Sequence, residues 1–252
     1  MSILEVLFWS YFVIYPVYVV LSVAKDKRRL TAQPEKKLSY YRSTILHLWV
    51  PALFVIGLIV NGNYSFVEMG LTLSWQWPQY LAVGGFTVLL GVFAASLKQL
   101  NTSGEARESI IEQAKEFSWL LPDTKRQKQY FVWGVSVSAG ICEELVFRGY
   151  LLFKLAQVMP MYGAVIISSI AFGLMHSYQG VKGVIKTALM GLVFALVYLA
   201  TDSLIFPILL HCLIDMFAGS SWYLARKFQI QANNNEAPDA KQSLKQNIKQ
   251  NA

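Results

Sequence analysis

Long apolar runs, separated by short polar segments, make up most of the chain. A helix needs about 20 apolar residues to cross the roughly 30 Å hydrocarbon core of a bilayer. Seven runs approach this length, so we expect about seven spans, within a range of about six to eight. Inside lipid a helix satisfies every backbone group within its own segment, and the pattern therefore predicts an all-α, polytopic bundle of transmembrane helices. The runs lie near Ile3–Ala24, Thr44–Val60, Gln79–Leu97, Tyr130–Phe153, Met161–Met175, Val184–Ala200 and Leu204–Leu224.

The polar segments divide the chain into four predicted regions. Residues 1–100 form N-terminal transmembrane helices, and residues 101–129 form a cytoplasmic helix and loop. Residues 130–224 form the transmembrane core that carries the candidate chemistry. Residues 225–252 are rich in Asn, Gln, Lys and Ala, which is too little apolar content to fold alone, so a disordered cytoplasmic tail is expected.

The loop of residues 101–129 contains one predicted amphipathic helix. Thr102 and Glu105 match the T-x-x-E capping box. Apolar positions then recur on one face to about Leu121, and Pro122 ends the pattern. The helix either lies along the membrane interface with its apolar face among the headgroups or is a solvated connector.

The distribution of basic residues predicts the orientation in the membrane. All of the 22 Lys and Arg residues except Arg148 and Lys154 fall on one side of the seven-span arrangement. The positive-inside rule then places the N-terminus outside and the C-terminus in the cytoplasm. The net charge of +7 follows from this topology and from attraction to anionic headgroups. Nucleic-acid binding is not expected, because no basic fold or aromatic platform accompanies the charge.

Composition agrees with a membrane protein, since 55% of the residues are hydrophobic and only 15% are charged. No targeting segment is recognised in the chain. We therefore expect an integral multi-pass protein of a bacterial inner membrane, with the lipid bilayer as one partner.

Ionisable side chains interrupt the apolar runs of the C-terminal half at three places. A charged group at the centre of a membrane helix opposes insertion by about 2.5–3.5 kcal/mol, and such groups usually pair with one another or line a water-filled cavity. We therefore expect these residues to lie together in the interior and to be functional. They are Glu143, Glu144, Arg148, His176, His211 and Asp215.

Spacing predicts how some of these side chains pair, because residues four apart share a helix face. Glu144 and Arg148 can neutralise each other within one helix. Glu143 is then left as the unpaired acid that is available for chemistry. The same spacing joins two further pairs, Phe172 with His176 and His211 with Asp215.

The three groups resemble the motifs of a known family, the CAAX protease and bacteriocin-processing (CPBP or Abi) intramembrane endopeptidases. Residues 143–149 read E-E-L-V-F-R-G, which is similar to the family's two glutamates followed by an arginine. Residues 172–176 resemble its aromatic residue four positions before a histidine. Residues 211–215 resemble its histidine four positions before an asparagine or aspartate. The resemblance extends from about Trp133 to Phe217.

The resemblance implies an intramembrane endopeptidase that hydrolyses peptide bonds of membrane-associated peptides or membrane proteins. It implies that Glu143 activates a water molecule, with His176 beside it. His211 and Asp215 are then the residues that hold a metal or stabilise the oxyanion.

Three further residues of the motifs are implied to support this centre. Glu144 and Arg148 resemble a structural brace that aims the neighbouring glutamate. Phe172 is expected to pack rather than to react.

Two mechanisms stay open, one with a metal and one without. Zinc hydrolases typically use three protein ligands and a water molecule. Glu143 or Asp215, together with His176 and His211, would satisfy that count for Zn2+ or another divalent metal. However, the H-E-x-x-H signature is absent, and the ligands would have to converge from three helices. A desolvated glutamate can also act as a general base without a metal.

Two other classes of protein can place ionisable groups at membrane depth. A proton- or cation-coupled transporter would use the four candidate residues as an ion pathway. Transporters often show paired halves with broken helices at corresponding positions, whereas here the ionisable groups crowd into the C-terminal half. A non-catalytic immunity or chaperone protein of the same fold would bind a peptide without cleaving it.

Three other reactive side chains are expected to be packing residues. Cys142 and Cys212 are adjacent to motif residues, and neighbouring positions on a helix point about 100° apart. His47 has no acidic partner at helical spacing.

Overall fold

Helices account for nearly all of the chain in this computed structural model, which describes the backbone of residues 3–250 and the side chains of residues 5–6 and 8–233. Within those residues no strand occurs, which confirms the all-α prediction. The helices are α1 (Ile3–Ala32), α2 (Lys37–Val60), α3 (Trp77–Gln99), α4 (Gly104–Gln113), α5 (Lys125–Ala156), α6 (Met161–Met175), α7 (Gly180–Thr201) and α8 (Ile205–Gln250).

Among the described residues, six of these helices are long and apolar enough to cross a membrane. They are α1, α2, α3, α5, α7 and α8. The seventh predicted span is α6, which is apolar but has 15 residues. At 1.5 Å per residue it is about 22 Å long, so it is shorter than the hydrocarbon core. The prediction of a polytopic bundle is confirmed, with α6 as a shorter member.

Contacts between loops define two ends of the bundle. At one end, which we call the basic end, Lys37 donates to the Leu121 carbonyl at 2.6 Å and to Asp123 at 2.7 Å. At the opposite end, the Leu204 amide donates to the Gly70 carbonyl at 2.7 Å. Successive long helices run between these ends, so the basic segments near α1, α2 and α5 gather at the basic end. The side of the membrane on which this end lies stays a prediction.

The segment between α3 and α5 differs in detail from its prediction. The N-cap is Ser103, whose hydroxyl accepts from the Ala106 amide, and not the predicted Thr102. Helix α4 ends at Gln113, and the chain continues through a short 3-10 turn. The apolar residues around this turn pack on α8 through Trp222. The predicted apolar face is therefore real, but it covers the protein rather than the headgroups.

Helix α8 continues well past the predicted end of the last span at Leu224. Ala225 is fully buried, and the backbone stays helical to Gln250. The predicted start of the tail at residue 225 is therefore too early, because the side chains of this turn still pack on the bundle. The side chains of residues 234–252 lie outside the described residues, and disorder of the tail stays a prediction.

Helix α5 is the central helix of the bundle, and more than half of its apolar stretch is buried. Its residues Leu145, Val146 and Phe147 belong to the main hydrophobic core, together with aromatic residues of α1 and α2. Helix α5 is irregular in two places, because residues Phe131–Val135 and Leu145–Leu152 form π-helical turns. Such turns occur frequently at functional sites, and the second one begins directly after Glu144.

Candidate active site

The buried pair of Glu144 and Arg148 forms the foundation of the site. The guanidinium donates to Glu144 Oε1 at 2.9 Å, and both side chains are completely buried. The second arm of Arg148 donates to the Gly191 carbonyl on α7 at 2.9 Å. The guanidinium carbon also lies 4.3 Å from the ring centre of Phe172 and 5.3 Å from that of Phe194. The predicted pair therefore exists, and it also ties α5 to α6 and α7.

His211 is oriented by the same carboxylate. Its Nδ1 lies 2.9 Å from Glu144 Oε1. Because Glu144 also pairs with Arg148, we assign the carboxylate as the acceptor and Nδ1 as the donor. The imidazole stacks on Phe194, with ring centres 4.8 Å apart and planes inclined by 15°. These two contacts fix the ring so that Nε2 faces Glu143.

His176 approaches Glu143 from another helix. It is the first residue after α6, and its Nδ1 lies 2.9 Å from the Phe172 carbonyl oxygen. A carbonyl oxygen can only accept, so Nδ1 carries the proton and Nε2 keeps its lone pair when the ring is neutral. Nε2 lies 3.7 Å from Glu143 Oε2. The predicted pairing of Phe172 with His176 is therefore a backbone contact together with ring packing.

Glu143 stands at the centre of the group with one oxygen unsatisfied. Its Oε2 is buried and has no hydrogen-bond partner in the described structure. It faces Nε2 of His176 at 3.7 Å and Nε2 of His211 at 3.9 Å. Both distances are too long for a direct hydrogen bond. A small ligand between these atoms would reach all of them.

Asp215 completes the set of four predicted residues. Its Oδ2 lies 3.7 Å from Nε2 of His211, one helical turn away on α8. Its side chain is 33% exposed, whereas that of His211 is 6% exposed. The Asp215 carboxylate therefore faces open space next to the other three residues. All four candidate residues come together, as expected from the cost of exposing ionisable groups to lipid.

The donor atoms do not form a metal ligand set as they stand. With Zn–N bonds of about 2.0–2.1 Å, two ligands of a tetrahedral zinc lie about 3.3–3.4 Å apart, whereas the separations here are 3.7–3.9 Å. No three His, Cys, Asp or Glu side chains of the described residues are arranged to hold a metal. Metal binding by Glu143, His176, His211 and Asp215 stays a prediction, and no chemical step below passes through a metal.

A cavity of about 890 Å³ leads to this group. It is bounded by α1, α2, the turn after α4, and helices α5 to α8. At the basic end it is lined by Lys25, Arg29 and Lys36, and at depth by Glu143 and His211. The reacting groups are therefore accessible from the basic end of the bundle.

The other reactive side chains fall in two classes. Cys212 packs tightly on α5, where a Cβ at Gly140 would clash with its sulfur, and this agrees with the packing role expected of it. Cys142 is buried but contributes to the cavity wall. His47 is exposed and also lines the cavity, with Nδ1 2.6 Å from the Ser43 carbonyl oxygen. The prediction that His47 is a packing residue is wrong, because α2 turns this face towards the cavity.

Sequence similarity agrees with this geometry. Residues 126–217 match the family described as Type II CAAX prenyl endopeptidase Rce1-like. This segment is Rce1-like. It contains Glu143, His176, His211 and Asp215, and it confirms the family resemblance of the three motifs. The matched segment covers 92 of the 252 residues, which is less than half of the chain.

The Rce1-like segment begins in α5 and ends in α8, so α1 to α4 lie outside it. No curated protein and no solved structure matches the chain.

Proposed function

We propose that this protein is an intramembrane endopeptidase that cleaves membrane-associated peptides or proteins with a water molecule activated by Glu143. The observation that carries the proposal is the unpartnered, buried Oε2 of Glu143 facing Nε2 of two histidines at the end of a cavity. A buried carboxylate oxygen without a partner is costly. This arrangement is expected where the partner is a reactant.

The first step uses Glu143 and His176. Two acceptors 3.7 Å apart can both lie at about 2.8 Å from one water oxygen, which is an ordinary hydrogen-bond distance. Such a water donates its two hydrogens to Glu143 Oε2 and His176 Nε2. Glu143 takes a proton as the water oxygen attacks the peptide carbonyl carbon. The C–N bond then breaks, and the proton passes from Glu143 to the leaving amine.

The second task is to stabilise the oxyanion. His211 donates through Nδ1 to Glu144, so it can carry a further proton on Nε2, between the reacting centre and Asp215. That N–H would donate to the carbonyl oxygen as it becomes negative. Donors fixed in advance at such a position are among the largest contributions to catalysis. In this account Asp215 favours the proton on His211.

The decisive experiment compares Glu143→Gln with Glu112→Gln, which changes an exposed glutamate on α4. Purified full-length protein in proteoliposomes is assayed with a membrane-anchored peptide. We expect Glu143→Gln to lower kcat by about 10²–10⁴-fold, because it removes the general base. Glu112→Gln should match the wild type. Turnover by Glu143→Gln at the wild-type rate would refute the proposal, and an ion flux abolished by this change would favour the transporter.

A chelator separates the metal-bound from the metal-free mechanism. Because the proposed activation of water uses only Glu143 and His176, we expect EDTA or 1,10-phenanthroline to leave kcat within about twofold, less than the effect of losing the general base. Metal content is measured on the same samples. Loss of activity that added Zn2+ restores would contradict the metal-free mechanism while leaving the proteolytic function intact.

A further inference from the structure

The first two helices carry polar seams that the proposed chemistry does not use. On α1, one row of cavity-lining residues recurs every three or four positions, namely Tyr11, Tyr15, Tyr18, Ser22, Lys25 and Arg29, with Val19, Val23 and Asp26 beside it. On α2 and the turn before it the corresponding row is Lys36, Tyr40, Ser43, His47 and Pro51, with Ser39, Tyr41, Thr44 and Leu48 beside it. The other side of α1 is apolar and exposed, for example at Val13, Val17 and Leu21. Both helices therefore turn a polar seam inwards to the cavity.

The tyrosine hydroxyl groups of these seams are left available, whereas the Ser22 hydroxyl donates to the Val19 carbonyl at 3.3 Å and Ser43 Oγ lies 3.4 Å from Nδ1 of His47. In the described structure the phenol oxygens of Tyr11, Tyr15, Tyr18 and Tyr40 make no hydrogen bond, whereas that of the neighbouring Tyr41 donates to the Leu120 carbonyl at 2.6 Å. Polar groups inside a membrane protein normally find partners within the protein. A row of hydroxyls without protein partners, along one cavity, indicates that the ligand supplies the partners.

The chemistry of the walls selects an extended peptide over a lipid chain. An acyl or prenyl chain offers no hydrogen-bonding groups, so it would leave every hydroxyl unsatisfied. An extended peptide carries one N–H and one C=O per residue that need partners when water is removed. The aromatic faces of the tyrosines can contact its side chains at the same time.

The polar seam of α1 also sets the length of peptide that the cavity can hold. Ring contacts set the level of α1 against α5, since the ring centres of Phe8 and Tyr150 lie 4.9 Å apart and those of Phe12 and Phe147 lie 5.5 Å apart. The two helices run in opposite directions, so the turn of α5 that carries Glu143 lies at the level of Tyr11 and Tyr15, which line the cavity with it. From there to Lys25 at the basic end is 10 to 14 helical positions, which is about 15–21 Å at 1.5 Å per residue. An extended peptide covers this distance with about four to six residues at about 3.3–3.6 Å each.

We propose that the space between α1 and α2 is the substrate channel and that it binds an extended peptide, about four to six residues of which separate the folded part of the substrate from the cleaved bond. This inference rests on the proposed proteolytic function. It assigns substrate recognition to helices that lie outside the Rce1-like segment.

The test uses substrates in which a stably folded soluble domain is joined to one cleavable sequence by linkers of two, four, six, eight and twelve residues. Full-length protein in proteoliposomes is assayed for kcat/KM. We expect the value to be constant for the longest linkers and to fall at least tenfold at two residues, because the folded domain cannot enter the channel. Equal cleavage at every linker length would overturn the proposal.

Two hydroxyl deletions test the walls directly. Tyr15→Phe and Tyr11→Phe keep the ring and remove one hydrogen-bonding group each. We expect KM for an unlipidated peptide to rise about threefold to tenfold per variant, as for the loss of one hydrogen bond, with kcat within twofold. Tyr162→Phe, on the exposed surface of α6, is the matched control and should leave KM unchanged. Unchanged KM in both seam variants, or tighter binding of a free prenyl or acyl chain to them, would indicate a lipid channel and contradict the proposal.

Binding measurements test the proposed channel separately from the proposed catalytic chemistry. Full-length Glu143→Gln protein is titrated with fluorescent, long-linker and two-residue-linker substrates. We expect the long-linker substrate to bind at least tenfold more tightly, without any turnover. Equal affinities for the two substrates would refute the proposed channel but would leave the proposed proteolytic function intact. Binding that depends on linker length, in a wild-type protein that cleaves no substrate, would refute the proteolytic function but would leave the channel intact.

Discussion

Helices α5 to α8 and helices α1 and α2 both place polar side chains at membrane depth, but they satisfy them in different ways. In α5 to α8 the groups are ionisable, and the most buried of them are joined by contacts of 2.9 Å, as in Glu144 with Arg148 and with His211. In α1 and α2 most of the cavity-lining groups at depth are neutral hydroxyls, and the phenols of Tyr11 and Tyr15 have no protein partner in the described structure.

The difference follows from the cost of burial. An unpaired charge in a dry interior is so unfavourable that the completely buried Glu144 and Arg148 have fixed partners, and fixed partners give fixed geometry. Burial of an unpaired neutral hydroxyl costs much less free energy, so such a group can stay without a partner until a ligand binds. The first arrangement suits a reacting centre, and the second suits recognition of a chain whose side chains vary.

The largest expected effect comes from breaking the pair in α5. Arg148→Met leaves the fully buried Glu144 carboxylate without its cation, and removing one partner of a buried pair costs about 3–5 kcal/mol. Denaturant or thermal unfolding in detergent measures the loss. Lys154→Met removes only a part-buried contact with the Tyr64 hydroxyl at 3.2 Å and should change stability by less than about 1 kcal/mol. Equal stability of Arg148→Met and wild type would remove the contrast between the two regions.

A smaller effect is expected at the buried cation of the N-terminal half. Lys37 is only 3% exposed, but its partner Asp123 is 31% exposed. Lys37→Met therefore leaves a carboxylate that water can reach, and we expect a loss of about 1.5–3 kcal/mol, the range for a hydrogen bond to a charged group. The exposed pair of Lys115 with Glu112 provides the control, since Lys115→Met should change stability by less than about 1 kcal/mol. If Lys37→Met lowers the stability as much as Arg148→Met does, the burial of the partner carboxylate does not decide how much stability is lost.

The smallest pair of effects has opposite signs beside the site and away from it. A Cβ at Gly191 would lie 3.1 Å from both the Arg148 guanidinium and the Phe172 ring, whereas a Cβ at Gly84 on α3 meets nothing within 4 Å. Gly191→Ala should destabilise by about 1–3 kcal/mol through overpacking. Gly84→Ala should be neutral or stabilising by up to about 1 kcal/mol, because alanine favours helix. Unfolding measurements on both variants check the signs, and destabilisation by Gly84→Ala would indicate that another chain packs there.

The parts of the site that sequence could predict are those within one helical turn. The spacing of Glu144 with Arg148 and of His211 with Asp215 needs only helical geometry, and both pairs lie on a common face. The contact between Glu144 and His211 joins residues 67 positions apart, and it depends on how α5 and α8 pack. No local pattern indicates it.

The polar seam of α1 was readable in principle from its three- and four-residue spacing. It was missed because tyrosine and serine among valines and leucines do not lower hydropathy enough to distinguish a channel wall from a lipid-facing anchor. The cap of α4 was misplaced by one residue for a related reason, since Thr102 and Ser103 are both good caps and only the backbone decides between them.

The short helix α6 has a consequence for the supply of the second reactant. Hydrolysis consumes one water molecule for every peptide bond that is cut, and a site surrounded by full-length helices would have to draw that water through hydrocarbon. Helix α6 ends at Met175, and the break at His176 and the 3-10 turn that follows it border the cavity, which is where irregular backbone is tolerated at membrane depth. The same break that turns His176 towards Glu143 thus keeps the reaction in contact with the aqueous phase.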